Sequence, residues 1–234
     1  GTGIGMTENA GFATFTPTDI TIEEMAGQVG QAFPDLAEVT VRKPMQPDGT
    51  AGEELPDEEI GDICYHPPIV FLEYYNQPDQ TRNTISKEGI LYTGDLGYFK
   101  QMKNYKALYL SGRKKFVIKQ KGFNVFPGEV EEHIARMEGV NIVDVVGIKH
   151  RLFDEGIFAF VQAAPGVLLQ SDAVMAHCMS IASYKRPQHV EIWPEGEDLP
   201  LTRSAKVDKM KLLKQAEKIV TELRQNGKWD AQQG

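Results

Sequence analysis

The stretch "GRKKFVIKQKGFNVFPGEVE" (Gly112–Glu131) is where the sequence changes character. It opens on clustered basic residues, passes through a short strand-like run, turns at Gly122 and feeds a helix. Pro127 suits the first turn of that helix, where its missing N–H has no partner to lose. Glu129, Glu131 and Glu132 complement the positive end of the helix dipole. Val130, Ile134 and Met137 fall on one face, and Gly139 supplies a stop.

Downstream, "VNIVDVVGIKH" and "GIFAFVQAA" are near-continuous apolar runs, as expected of strands in a sheet covered on both faces. "SDAVMAHCMSIAS" reads as a second helix starting at Ser or Asp, and "QHVEIWP" as a third strand. "DKMKLLKQAEKIVTELRQ" is amphipathic, with Leu212, Leu213, Ala216, Ile219, Val220 and Leu223 as its apolar stripe. Upstream, "EVTVRKP", "GDICYHP", "IVFLEYY" and "ALYLSG" read as short strands divided by turn signals such as "PDGTAGEE" and "NQPDQT". Such spacing suggests a small barrel or sandwich. The reading is therefore two domains, residues 1–111 and 112–234, the second a small α+β unit.

Bulk properties set limits. With 41% hydrophobic and 25% charged residues the chain can bury real cores. A net charge of -8 argues against nucleic acid or anionic membrane as a partner. No apolar run reaches the roughly 20 residues of a membrane helix. Cys64 and Cys178 lack the close pairing of a zinc site and read as reduced, partly buried thiols of a cytoplasmic protein. The glycine-rich opening "GTGIGMTE" is read as a ligand-binding loop, with further chain expected before it.

Four stretches carry candidate chemistry. "GMTE" (Gly5–Glu8) sets a hydroxyl and a carboxylate beside a backbone that can approach a ligand closely. "YTGDL" (Tyr92–Leu96) puts Asp95 at a strand end, suited to accepting two sugar hydroxyls. The stretch quoted first is the third, and "PLTRSAK" (Pro200–Lys206) carries Lys206. Each has a plain alternative. Thr-Glu commonly caps a helix, Asp commonly sits in turns, and lysines commonly face water.

Taken together and in order, "GIGMTE", "YTGDLGYF", "GRKKFVIKQKGFNVFPGEVE", "YKRP" and "PLTRSAK" resemble the acyl-adenylate-forming superfamily. Within it, the fatty- and aromatic-acid CoA ligases are most similar. The resemblance implies the end of a large adenylating domain, including its small distorted β-barrel, followed by a mobile carboxy-terminal domain. It implies an AMP-forming acid–thiol ligase using ATP, Mg2+ and coenzyme A on a carboxylic acid, with the remainder of the polypeptide supplying the phosphate loop. No G-x-x-x-x-G-K-[ST] occurs in this chain.

The resemblance also implies residue roles. Lys206 would bridge the carboxylate and the α-phosphate, Thr7 would bind that phosphate, and Glu8 would hold magnesium. Ile4 and Gly5 would border the nucleotide, and Asp95 and Arg113 its ribose. Lys115 would be the hinge, and Gly122 and Phe123 would meet coenzyme A. Ile4 stands where an aromatic residue is frequent, Ala205 where glycine is usual, and Phe116 where aspartate is frequent. Two alternatives remain at this stage: an adenylating enzyme that loads a carrier protein, and a short, non-catalytic binding protein. The isolated chain is expected to be inactive.

Overall fold

The computed structural model describes every residue except Pro34, Ala37, Glu195, Ser204 and residues 231–234. The chain forms two compact units, residues 1–115 and 116–234. They meet a few residues after the boundary read from the sequence, because the last strand of the first unit runs on to Arg113.

The first unit opens with two short ribbons: β1 (Gly5–Met6) pairs with β2 (Gly11–Phe12), and β3 (Thr14–Phe15) with β4 (Gln31–Ala32). A single helical turn, α1 (Ile22–Met25), lies between β3 and β4. Then β5 (Val39–Arg42), β6 (Gly61–Tyr65), β7 (Leu91–Gln101) and β8 (Lys106–Arg113) form an antiparallel sheet in that order, and α2 (Pro78–Thr84) precedes β7. Val41, Ile63, Tyr65, Leu91 and Leu108 build its core.

Two expectations change here. Among the described residues the sheet is open, not a closed barrel. The outer edge of β8 is taken by the segment around Val29, whose N–H donates to the Leu108 carbonyl at 2.8 Å, so β8 does not pair back to β5. The run "IVFLEYY" is also not a strand. Ile69, Val70 and Phe71 pack on the core as an irregular cover, while Leu72 and Tyr75 face solvent. Its apolar residues go to coverage, and among the described residues no partner strand is in register with it.

In the second unit, β9 (Ile118–Gln120) and β10 (Phe123–Val125) form a hairpin leading into α3 (Pro127–Ala135). The long hairpin β11 (Val140–His150) and β12 (Asp154–Ala163) follows, then α4 (Ser171–His177). β13 (His189–Ile192) pairs parallel to β12, and α5 (Lys209–Gln225) closes the unit. The sheet has helices on both faces. Val145, Ile157, Ala159 and Val161 meet Val130 and Ile134 of α3 and Val174 of α4. The alternate residues Val146, Ile148, Phe158 and Phe160 meet Leu212, Ala216 and Val220 of α5. This two-sided burial explains why β11 and β12 read as apolar runs rather than alternating ones. The second helix is shorter than its sequence suggested, giving way to a 3-10 turn at Cys178–Ser180. Asp208 caps α5, its side chain accepting the Lys211 N–H at 3.2 Å.

Both cysteines are free and fully buried, not partly so. Burial pushes the Cys178 thiol up to about 11 and raises that of Cys64 as well. No helix among the described residues is long and apolar enough to cross a membrane.

Candidate functional site

The candidate residues fall in both units, and each set has its own local support. In the first unit Thr7 and Glu8 occupy a 3-10 turn (Thr7–Asn9) at the tip of the β1–β2 ribbon. Asn9 holds the turn by accepting the Met6 N–H at 2.8 Å. Gly5 serves this ribbon directly, since a Cβ there would stand 1.9 Å from the Gly11 carbonyl oxygen. Its lack of a side chain thus admits a neighbouring strand. Ile4 is half-buried and packs on the first-unit core. Glu8 is half-buried, and its Oε1 accepts the Tyr74 hydroxyl at 2.8 Å. Tyr74 has its phenol raised above the ordinary range, first by burial and then by this bond to Glu8. The sequence offered no signal for Tyr74 beyond the aromatic run in which it sits.

Asp95 is not at a strand end, as the sequence suggested, but inside the long strand β7. The register with β6 shifts between Asp62 and Cys64, so Thr93, Gly94 and Asp95 lie in a bulge of β7. Bulges re-aim side chains in this way. The Thr93 hydroxyl accepts the Asp95 N–H at 3.1 Å and donates to the Ile63 carbonyl at 2.8 Å, fixing the bulge. Arg113, at the end of β8, pairs with Asp95 through Nε–Oδ1 at 2.7 Å. Asp95 is 9% exposed, so this arginine compensates a carboxylate that burial would otherwise penalise. A parallel device lies next door, where Lys114 donates to both oxygens of buried Asp62 at 2.9 and 2.8 Å. Lys115 is the last residue of this unit.

In the second unit Gly122 and Lys121 are the two central residues of the β9–β10 hairpin, at φ +83° and +52°. A two-residue hairpin turn with both centres left-handed needs glycine most at such a position, and no atom lies within 4 Å of a Cβ built at Gly122. The requirement is conformational. Phe123 follows, 53% exposed, with one face stacked on Tyr184.

Lys206 lies exposed in a tight loop closed by the Leu201–Val207 bridge. The Thr202 N–H donates to the Lys206 carbonyl at 2.7 Å, and the Lys206 N–H to the Thr202 hydroxyl at 3.2 Å. Ser204 lies outside the described residues. Ala205 sits at φ +57°, a conformation that costs an L-residue about 1–2 kcal/mol. Ala205→Gly is expected to raise stability by roughly 0.5–1 kcal/mol, after allowance for the extra freedom of glycine in the unfolded chain. A urea midpoint that falls in this variant would contradict the strain.

The loop runs straight into α5, whose first residue, Lys209, is anchored below it. Its Nζ donates to Glu131 at 2.6 Å, to Asp144 at 2.7 Å and to the Val145 carbonyl at 3.1 Å. Glu131 in turn accepts the Val145 N–H at 2.9 Å. Side chains thus occupy both backbone groups of Val145 on the outer edge of β11, where another strand could otherwise pair.

Among the described residues no group of three or more His, Cys, Asp or Glu could cage a metal. A single half-exposed carboxylate such as Glu8 does fit magnesium, which usually takes one or two carboxylates and completes its shell with waters and substrate phosphates.

Residues 129–206 match the AMP-binding enzyme C-terminal domain. The chain is 33% identical to a sulfoacetate–CoA ligase of Cupriavidus necator over 91% of its own length and 39% of that protein. It is 32% identical to a long-chain-fatty-acid–CoA ligase of Salmonella typhimurium, covering 92% of this chain and 35% of the other. ATP-bound MatB from Rhodopseudomonas palustris superposes with a TM-score of 0.80 at 31% identity, over 92% of this chain and 40% of MatB. The chain therefore spans less than half the length of these relatives. Residues 129–206 belong to the AMP-binding enzyme C-terminal domain family, and the chain around them resembles the carboxy-terminal part of acyl-CoA ligases.

Proposed function

We propose that this chain is the carboxy-terminal portion of an ATP-dependent acyl-CoA synthetase. The observation that carries the reading is the Asp95–Arg113 pair, aimed by a bulge in β7 and held at 2.7 Å, as a ribose-binding device. In the first step a carboxylate oxygen attacks the α-phosphorus of ATP, and the bond to pyrophosphate breaks. Two anions must meet, so fixed positive charge and oriented donors are needed where charge gathers. Lys206 supplies the charge and the Thr7 hydroxyl a donor, while Ile4 and Gly5 border the nucleotide. Glu8, oriented by Tyr74, would hold magnesium, which neutralises phosphate charge when bound. In the second step the coenzyme A sulfur bonds to the acyl carbon. AMP leaves with the electron pair of the broken carbon–oxygen bond, and the thiol proton passes to solvent. The Lys121–Asn124 turn, with Gly122 and Phe123, serves this step after a backbone rotation at Lys115.

The acid is not specified by these residues, and relatives are named for acids as different as sulfoacetate and a long-chain fatty acid. The same chemistry could load a carrier protein in place of free coenzyme A. The test is ATP–pyrophosphate exchange by the full-length protein with acetate, malonate, octanoate and benzoate, followed by addition of coenzyme A. Acid-dependent exchange with thioester formation supports the reading. Exchange without thioester favours carrier loading, and no exchange favours a non-catalytic binding protein.

A further inference from the structure

The motif "YKRP" (Tyr184–Pro187) has no part in the scheme above, yet the fold brings it to the turn assigned to coenzyme A. Tyr184 lies in a 3-10 turn (Ser183–Lys185), and its ring stacks on Phe123 with centroids 4.4 Å apart and planes 19° from parallel. The residues that follow it, Lys185, Arg186 and Gln188, are tied down. The Lys185 ammonium pairs with Glu129, in the first turn of α3, at 2.7 Å. Arg186 donates from Nε to the Ile181 carbonyl at 2.9 Å and from Nη2 to that of Met179 at 2.8 Å. The Gln188 N–H donates to the Ile157 carbonyl of β12 at 2.8 Å. A rigid platform is thus offered to a hairpin tip whose own backbone is strained at Lys121, φ +52°.

We propose that Tyr184 is a positioning residue for thioester formation, holding Phe123 and with it the Lys121–Asn124 turn. The stack covers one face of the Phe123 ring and leaves the residue 53% exposed, so one aromatic face is fixed while the rest remains open to a ligand. Lys185 acts through Glu129 to keep the platform against the helix that the turn feeds. This rests on the function proposed above, and its effect belongs to the second half-reaction alone.

The test compares Tyr184→Ala, Tyr184→Phe and Lys206→Ala in the full-length protein, with the most active acid of the four named above. Pyrophosphate exchange reports the first half-reaction, and single-turnover conversion of preformed acyl-adenylate by coenzyme A reports the second. Tyr184→Ala is expected to slow thioester formation about three- to tenfold, the contribution of one aromatic pair, and to leave exchange within about twofold. Tyr184→Phe keeps the ring and the rate. Equal losses in both steps, or no loss in either, overturn the proposal. Unchanged exchange in Lys206→Ala instead overturns the reading of the function. If no acid supports exchange, hydrogen–deuterium exchange at Phe123 and Asn124 decides. Tyr184→Ala should accelerate it about three- to tenfold relative to Tyr184→Phe, and equal protection sinks the platform.

Discussion

Lys206→Ala in the complete enzyme is expected to slow acyl-adenylate formation by about 10²–10³, or roughly 3–4 kcal/mol of transition-state stabilisation. The magnitude follows from the demand of the step, in which a carboxylate approaches a phosphate and one cation must face both. The loop around Lys206 is closed by backbone bonds and by the Thr202 hydroxyl, none of which involves the lysine side chain. Its removal should therefore leave stability unchanged while the rate falls. Single-turnover measurement of pyrophosphate release checks this. The loss should appear in kcat, since a group acting mainly on the transition state lowers kcat and kcat/KM together. Conversion of preformed adenylate to thioester should be spared.

Lys209→Met carries the largest expected loss of stability, about 3–5 kcal/mol, because it strands two carboxylates that the lysine now compensates. The side chains of Lys209 and Asp144 are 20% and 8% exposed, so water cannot replace the missing charge easily. The midpoint of urea unfolding should fall sharply, and Lys209→Arg should recover most of it. A pH signature belongs to the same cluster. Burial first, against the opposing pull of Lys209, raises the Asp144 carboxyl from 3.8 to about 6.

The native state therefore holds a proton on Asp144 between about pH 4 and 6 that the unfolded chain has already released. Ionising this group lowers stability as pH rises through that window, and the loss is complete above it. The stability of the parent minus that of Asp144→Asn should fall by on the order of 2–3 kcal/mol between pH 4 and 7. A flat difference would mean that Asp144 titrates as an ordinary surface carboxylate.

Much of the second unit was legible in the chain because its signals are periodic and local. Leu212, Ala216 and Val220 recur at helical spacing, and they are the residues α5 buries. Pro127 and the glutamates after it marked the start of α3, and the apolar runs marked β11 and β12. The first unit was read less well. Turn residues punctuate its strands, but no local pattern says whether a series of strands closes. That depended on residues 28–30 occupying the edge of β8. "IVFLEYY" misled for a related reason, since an apolar run signals burial without saying what form the burial takes.

By itself, the sequence determined the helices and strands of the covered sheet and the motif residues that point to adenylate chemistry. Both are encoded over short stretches, the first through side-chain spacing and the second through several motifs met in a fixed order. Only the tertiary structure decided the partners of those residues. Tyr74 reaches Glu8 across 66 positions, and Lys209 reaches Glu131 across 78. Asp95 acquired its aim from a bulge whose register is set by β6. Such pairings arise from packing of segments distant along the chain, where burial makes an uncompensated polar group costly and so selects the contact that satisfies it.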